Sequence, residues 1–283
     1  NHRKFYTKNH PQHQSFIMKK KAVLAYSGGL DTSYCLVNLT REKGFEVHTV
    51  IVNTGGFTQE ELIEIEKRAY ELGSSHHETI DITQKYFDDC LRYLIFGNVL
   101  KNNTYPLSVS AERMFQSIAI AEYAKQVEAE YIVHGSTGAG NDQIRFDVAF
   151  AVISPKSQII TPIRDEKLSR QQEVDYLVSQ GVQYSWEKAK YSINVGIWGT
   201  SVGGVETLTS HQSLPESAYP TQLSKIEPQT LEIGFTKGIP TSLNGQEMNP
   251  VDLIIELNKI GGQYAIGRDI HVGDTILGIK GRV

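Results

Sequence analysis

At 283 residues, 40% hydrophobic and 21% charged, the chain has the length for one large α/β domain or two modest ones with real cores, which excludes a mainly disordered protein. A formal net charge of −4 does not supply the basic surface that neutralises duplex phosphates, so nucleic acid is excluded as the main partner. No run of about 18 apolar residues occurs, and the polar, His-rich stretch before residue 21 has no apolar signal core, so the expectation is a cytoplasmic protein with neither a membrane span nor a secretory signal.

Residues 1–17 lack a hydrophobic period and precede Met18, which stands ahead of a lysine cluster and a strand. They are expected to be an extension or tag, with His2, His10 and His13 solvated rather than metal-bound. From residue 21, short β-rich runs alternate with helical ones, the pattern of a doubly wound parallel sheet with helices on both faces. The expected strands are 22–26, 46–52, 76–80, 131–133 and 158–160; the expected helices are 32–43, 60–72, 84–93, 111–127 and 170–179. Thr58 with Glu61 and Ser169 with Gln172 read as capping boxes, and Gly44 and Gly73 as left-handed residues closing helices. Cys35 and Cys90 lie far apart, each in an expected helix, so neither a disulfide framework nor a CxxC pair is expected. After Gly181 the clean periods stop, and Pro, Ser, Thr and Asn spread through 184–225, which divides the chain into expected domains at 18–181 and 182–283. In the second, α+β in character, 231–235 and 241–243 are strand-like, Asn244-Gly245 invites a type I′ turn, and Asn249-Pro250 opens a helix to residue 260. The chain then stops in mid-pattern, so this domain is expected to be incomplete at its C-terminus.

The first chemical motif is Ser27-Gly28-Gly29-Leu30-Asp31-Thr32-Ser33, delivered by the apolar strand Ala22-Val23-Leu24-Ala25-Tyr26 to the start of a helix. Helix starts carry unpaired amides and a positive dipole end, so this is an anion site. Gly28 and Gly29 let phosphate oxygens approach the main chain, and Ser27, Thr32 and Ser33 add hydroxyl donors. A carboxylate beside a polyphosphate repels it unless a cation intervenes, so Asp31 is assigned to Mg²⁺. The competing reading is an ordinary strand–turn–helix corner. No GxxxxGK[ST] phosphate loop occurs anywhere in the chain.

The second motif, His134-Gly135-Ser136-Thr137-Gly138-Ala139-Gly140-Asn141-Asp142-Gln143-Ile144-Arg145-Phe146, follows the strand at 131–133. It is GxxGxG and not the dinucleotide fingerprint GxGxxG. A flexible backbone followed by an amide, a carboxylate and a guanidinium, at the carboxyl end of a strand, suits a zwitterionic amino acid; a glycine-rich surface loop with solvated charges is the alternative. His134 alone reads as a structural histidine.

The first loop resembles the SGGxDS loop of the ATP pyrophosphatases, which cleave ATP between the α- and β-phosphates and adenylate a substrate oxygen. Together the two motifs, in this order and separation, resemble the argininosuccinate synthase family from about residue 20 to the end. The resemblance implies an adenine-nucleotide α-hydrolase-like fold followed by a synthetase domain, and a carbon–nitrogen ligase of arginine biosynthesis and the urea cycle. It would join citrulline to aspartate through a citrullyl-adenylate, releasing AMP and pyrophosphate. Carried over by motif, Ala25, Tyr26, Ser27, Gly28, Gly29, Leu30, Asp31, Thr32, Ser33, Val52 and Gly135 would hold ATP with Mg²⁺. Thr137, Asn141 and Asp142 would meet aspartate; Tyr105, Ser110, Asn141, Arg145, Ser192 and Ser201 would meet citrulline. Asp31 and Asp142 are the implied catalytic carboxylates, Asp142 as a candidate base. Relatives are homotetramers, so a homotetramer is implied.

The chain departs from the pattern in having Ala139 where the family often has lysine and Gly273 where a citrulline-contacting glutamate is expected; a later tyrosine would lie past Val283. These departures keep open a catalytically inactive nucleotide-binding homologue. Another ATP pyrophosphatase, amidating or tRNA-modifying, is a further alternative.

Overall fold

Alternating burial along the first strand organises the molecule. In the computed structural model, which describes residues 19–138, 140–183, 191–209, 211–275 and 278–282, β1 (Lys21–Ala25) sends Ala22 and Leu24 to one face and Val23 to the other. The expectations for residues 1–17 and Ala139 lie outside the described residues. Strands β2 (Glu46–Asn53), β3 (His76–Asp81), β4 (Tyr131–Val133) and β5 (Gln158–Ile160) complete a five-stranded sheet in the order β3-β2-β1-β4-β5, every neighbour parallel.

The helices between them are α1 (Leu30–Val37), α2 (Gln59–Glu71), the short α3 (Thr83–Tyr86) and α4 (Arg92–Phe96), α5 (Ser108–Gln126), α6 (Asp142–Ile153), α7 (Pro162–Asp165) and α8 (Arg170–Ser179). One face packs Ala22 and Leu24 with Leu36 and Leu39 and with Leu177 of α8. The other packs Val23, Val50 and Ile132 with Ile120 and Ala124 of α5 and Phe150 of α6. A sheet covered on both faces explains why its central strands β1 and β2 carry apolar runs. Both capping boxes form: Thr58 with Glu61, and Ser169 with Gln172. Gly44 and Gly73 are left-handed, with φ of 67° and 106°.

Four expectations change, the first being that the helix at 111–127 begins at Ser108 and so carries Ser110 in its first turn. The helix at 32–43 starts two residues earlier, at Leu30, and passes into a π-helical turn at Asn38–Glu42, where the Thr40 hydroxyl donates to the Leu36 carbonyl at 2.8 Å and competes with the helical ladder. The helix at 84–93 is α3, a π-helical turn at Phe87–Leu91, and α4. The stretch after β4, a flexible backbone followed by polar residues for which no helix was expected, becomes helical at Asp142, so Asp142, Gln143 and Arg145 occupy the first turn of α6.

Past residue 191 come the hairpin β6 (Ser192–Gly196) and β7 (Gly199–Gly203), a three-stranded antiparallel sheet of β8 (Ile233–Thr236), β9 (Ile239–Leu243) and β10 (Gln246–Glu247), helix α9 (Pro250–Gln263), and the hairpin β11 (His271–Thr275) and β12 (Gly278–Arg282). Asn244 and Gly245 turn β9 into β10 with φ of 50° and 79°, and Asn249 caps α9 by accepting the Val251 amide at 2.8 Å. Val251 and Ile254 of α9 pack with Tyr86, Phe87, Leu91 and Ile197. That cluster joins this C-terminal domain to the first. Among the described residues no helix is long and apolar enough to cross a membrane.

Candidate functional site

Strand order reverses between β1 and β4, and the loops leaving these two strands face each other at that switch point, where open α/β sheets hold ligands. Leaving β1, Gly28 turns at φ +72°, a left-handed conformation that glycine adopts without a steric cost, and Arg68 of α2 donates to its carbonyl at 2.8 Å. Thr32 fastens the turn from inside: its hydroxyl donates to the Gly29 carbonyl at 3.3 Å and receives the Ser27 amide at 3.4 Å. Leu30 and Ser33 are buried, as is Val52 near the end of β2. The Ser33 hydroxyl has no hydrogen-bond partner among the described residues.

Asp31 lies on the rim of the cleft and is not alone. Burial and the neighbouring Asp31 push the carboxyl of Glu173, a buried residue of α8 that hydrogen-bonds Asp31, up to about 8. Like charges sharing a site cannot both ionise cheaply, so this corner holds a proton or favours a cation. No motif in the sequence marks Glu173.

Across the switch point, Gly135 packs so closely that a Cβ there would sit 3.3 Å from the Asp31 backbone and side chain. His134 is buried, accepts the Ser136 amide on Nδ1 at 3.2 Å and presents Nε2 to Asp147 at 3.0 Å. Burial lowers its pKa, so it is a neutral structural histidine that fixes the turn. Arg164 holds Asp147 at 2.7 Å and Gln143 at 3.1 Å, and Gln143 donates to the carbonyls of Gly138 and Gly140. Burial alone would raise the Asp147 carboxyl; hydrogen bonds from Arg164 and His134 hold it below the usual carboxylate range. Asp142 and Arg145, read from sequence as separate partners for a zwitterion, pair with each other at 2.5 Å. Arg113 of α5 approaches the other Asp142 oxygen at 3.6 Å.

The remaining wall is the β6–β7 hairpin. The Ile197 amide donates to the Thr54 carbonyl at 2.8 Å, Trp198 Nε1 donates to the Pro106 carbonyl at 2.8 Å, and Asn258 of α9 reaches the Ile197 carbonyl at 2.7 Å. Gly56 lies against Val195 and Gly196 against Glu112: a Cβ would stand 2.0 Å from the Val195 oxygen and 2.7 Å from Glu112 Oε2 respectively. Glu112 is 3% exposed and accepts from Thr54 at 2.7 Å and Gln116 at 3.1 Å. Burial raises its pKa against the pull of Arg113. Tyr105 receives the Ser110 amide at 3.0 Å and stacks on His271 at 4.3 Å between ring centroids.

These surfaces enclose one cleft of about 940 Å³, lined among others by Asp31, Tyr105, Ser110, Thr137, Asn141, Asp142, Arg145, Ser192 and Ser201. That volume fits a small-molecule site. Of the residues expected to hold ATP only Asp31 is in this lining; Gly135 packs against Asp31, and the Ser201 hydroxyl is buried without a hydrogen-bond partner among the described residues. Gly273 lies in mid-β11 opposite Lys280, two residues along the same strand face from His271. Sequence reasoning missed Glu112, Arg113, Gln116, Asn194 and Glu173. The one legible hint was Glu-Arg followed by Gln within an otherwise apolar stretch of α5.

Residues 21–183 match the arginosuccinate synthase N-terminal HUP domain and residues 191–283 the arginosuccinate synthase C-terminal domain. A curated argininosuccinate synthase of Methanocaldococcus jannaschii is 38% identical over 268 residues, 94% of this chain and 67% of that protein. The argininosuccinate synthases of Sulfurisphaera tokodaii and Dictyoglomus turgidum are each 37% identical, over 93% of this chain and 67% and 66% of their own lengths. The chain thus spans about two thirds of the relatives it matches, and with both domain models matched in order it belongs to the argininosuccinate synthase family.

Proposed function

We propose that the chain is a carbon–nitrogen ligase that joins citrulline and aspartate into argininosuccinate at the expense of ATP, releasing AMP and pyrophosphate. The observation that carries this reading is a single cleft bringing Asp31 of the β1 loop together with the Asn141–Arg145 turn and with Ser192 and Ser201 of the hairpin. The ureido oxygen of citrulline attacks the α-phosphorus, the α–β bridge bond breaks, and pyrophosphate leaves. The aspartate amine then attacks the ureido carbon of the adenylate, the carbon–oxygen bond breaks, and AMP leaves carrying the former ureido oxygen. A ureido oxygen is a weak nucleophile, so the first step depends on placement and charge neutralisation more than on a strong base.

In this reading the first amides of α1, with Ser27 and Thr32, hold the departing pyrophosphate. Thr137, Asn141 and Asp142 receive aspartate, with Asp142 taking up the amine proton. Tyr105, Ser110, Asn141, Arg145, Ser192 and Ser201 receive citrulline. The Asp31–Glu173 pair, with Glu173 Oε2 buried and without a hydrogen-bond partner among the described residues, fits a Mg²⁺ ion accompanying the nucleotide. Bound there, Mg²⁺ would neutralise charge on the leaving group. We further propose a division near residue 181, a cytoplasmic location and a homotetramer, on the family resemblance.

The test is formation of AMP and pyrophosphate with ATP and Mg²⁺. It should require citrulline and aspartate together for steady turnover; turnover independent of either amino acid overturns the assignment. The paired domain matches favour this family over an amidating or tRNA-modifying pyrophosphatase.

A further inference from the structure

Glu112 is a buried carboxylate that the reaction above does not use. It sits on α5 where the two domains meet, with Thr54 Oγ1 at 2.7 Å and Gln116 Nε2 at 3.1 Å, and so close to Gly196 that a Cβ there would stand 2.7 Å from its second oxygen. Its next neighbour along the helix, Arg113, approaches it at 3.6 Å through Nη1 and approaches Asp142 at 3.6 Å through Nε. The same guanidinium donates to the amide oxygens of Gln116 and of Asn194 in the hairpin. One cation therefore lies between two carboxylates of unequal exposure, 4% for the Glu112 side chain and 36% for Asp142.

The inequality decides how the cation is shared. A charge pair is stronger where water is scarce, and a buried carboxylate deprived of its cation is costly, so Arg113 is bound more firmly on the Glu112 side. Asp142, facing the cleft, then keeps capacity for a ligand although Arg145 already holds one of its oxygens at 2.5 Å.

We propose that Glu112 is a positioning residue: by holding Arg113 toward Gln116 and Asn194, it keeps that guanidinium from closing on Asp142 and leaves Asp142 open to the ammonium group of an incoming amino acid. The proposal rests on the reading that Asp142 meets the aspartate amine. Removing the Glu112 charge alone should let Arg113 collapse onto Asp142, and removing both charges should release Asp142 again.

The experiment compares the full chain with Glu112→Gln, Arg113→Gln and the double variant, reading KM for each substrate and kcat, with circular dichroism to verify folding. Glu112→Gln should raise KM for aspartate about tenfold and leave KM for ATP within about twofold. The double variant should return the aspartate KM to within about threefold of the parent, a rescue that a propping role for Glu112 under the hairpin does not give. Arg113→Gln alone should not raise it. A tenfold rise in Arg113→Gln, or a double variant worse than Glu112→Gln, overturns the proposal and assigns the pair to holding the hairpin. A crystal structure of Glu112→Gln supplies a readout independent of turnover: the Arg113–Asp142 distance should close to about 2.8 Å. An unchanged 3.6 Å separation overturns the proposal whatever the turnover. Absence of aspartate-dependent AMP formation in the parent instead overturns the reaction assigned above.

Discussion

The two sides of the cleft use glycine for different reasons. In the loop leaving β1, Gly28 is demanded by its own backbone, which turns at φ +72° within a few residues of the strand that feeds it. In the clasp between Gly56 and the β6–β7 hairpin, glycine is demanded by a distant neighbour: a Cβ on Gly56 would meet the Val195 carbonyl oxygen at 2.0 Å. A local demand is written into a short motif beside strand and helix signals. A tertiary demand leaves nothing in the flanking residues, which is why one wall of the cleft was legible and the other was not.

The largest expected effect breaks the loop side without touching the clasp. Asp31→Asn should lower citrulline- and aspartate-dependent AMP formation by about a thousandfold, the scale of losing one electrostatic group in a water-poor site. Its thermal melt should not fall, since removing the Asp31 charge relieves the repulsion on the buried Glu173 carboxyl. Near-parental turnover would remove Asp31 from the phosphate chemistry. The next effect breaks the clasp instead. Gly56→Ala forces backbone away from backbone, an overpacking cost of about 1–3 kcal/mol, and displaces the hairpin that carries Ser192 and Ser201. Citrulline affinity should fall while ATP affinity holds; a parallel loss of both would show that the two walls are one unit.

The central strands were legible because β1 and β2 carry buried apolar runs between turn signals, and 131–133 and 158–160 were placed to the residue even though β5 is only half-buried. Helix α6 was not, because its first turn carries Asp142, Gln143 and Arg145, and in sequence a polar first turn after a glycine-rich stretch looks like more loop. In the β6–β7 hairpin Ser192-Ile193-Asn194-Val195 does alternate polar and apolar residues, but Ile193 and Val195 are exposed, and the hairpin is placed against the first domain by Thr54, Pro106 and Asn258, which leave no mark in its own sequence. Asp31, Asn141 and Asp142, expected from sequence as site residues, line the cleft at the starts of α1 and α6. Glu112 and Glu173 were not expected, since a charged residue on a helix reads the same whether it faces water or a neighbouring element.

A smaller effect tests a local feature, the capping box of α2, which begins two residues after Gly56. In Thr58→Ala the capping box of α2 loses the hydroxyl that accepts the Glu61 amide at 3.2 Å, and stability should fall by about 1 kcal/mol in denaturant unfolding. Because α2 also carries Arg68, which ties the Gly28 carbonyl, ATP affinity should weaken slightly and citrulline affinity should not. A drop in citrulline affinity of the same size would mean that fraying of α2 reaches the clasp.

The smallest effect separates the two sides by pH. The crevice side rests on buried histidines whose pKa values burial lowers from 6.5: His134 beneath Ser136, and His77, bonded to Thr49 at 2.8 Å and set edge-on to Tyr26 at the loop's entrance. The unfolded chain binds more protons at these positions below about pH 6.5, so their contribution to stability is present above that value and is lost as pH falls through it. The clasp side rests on Glu112, whose raised pKa has the opposite sign: the folded state holds its proton more tightly, so stability there rises as pH falls toward its unfolded value. Amide exchange from pH 7.5 to 5.5, corrected for the intrinsic rate, should therefore show β3 and β4 losing protection before β6 and β7, by no more than about 1.4 kcal/mol per pH unit for each proton. In His77→Gln, where the side chain at 77 cannot titrate, the loss in β3 should shrink. Equal loss in all four strands, or the reverse order, would mean that acid opens the cleft as a whole.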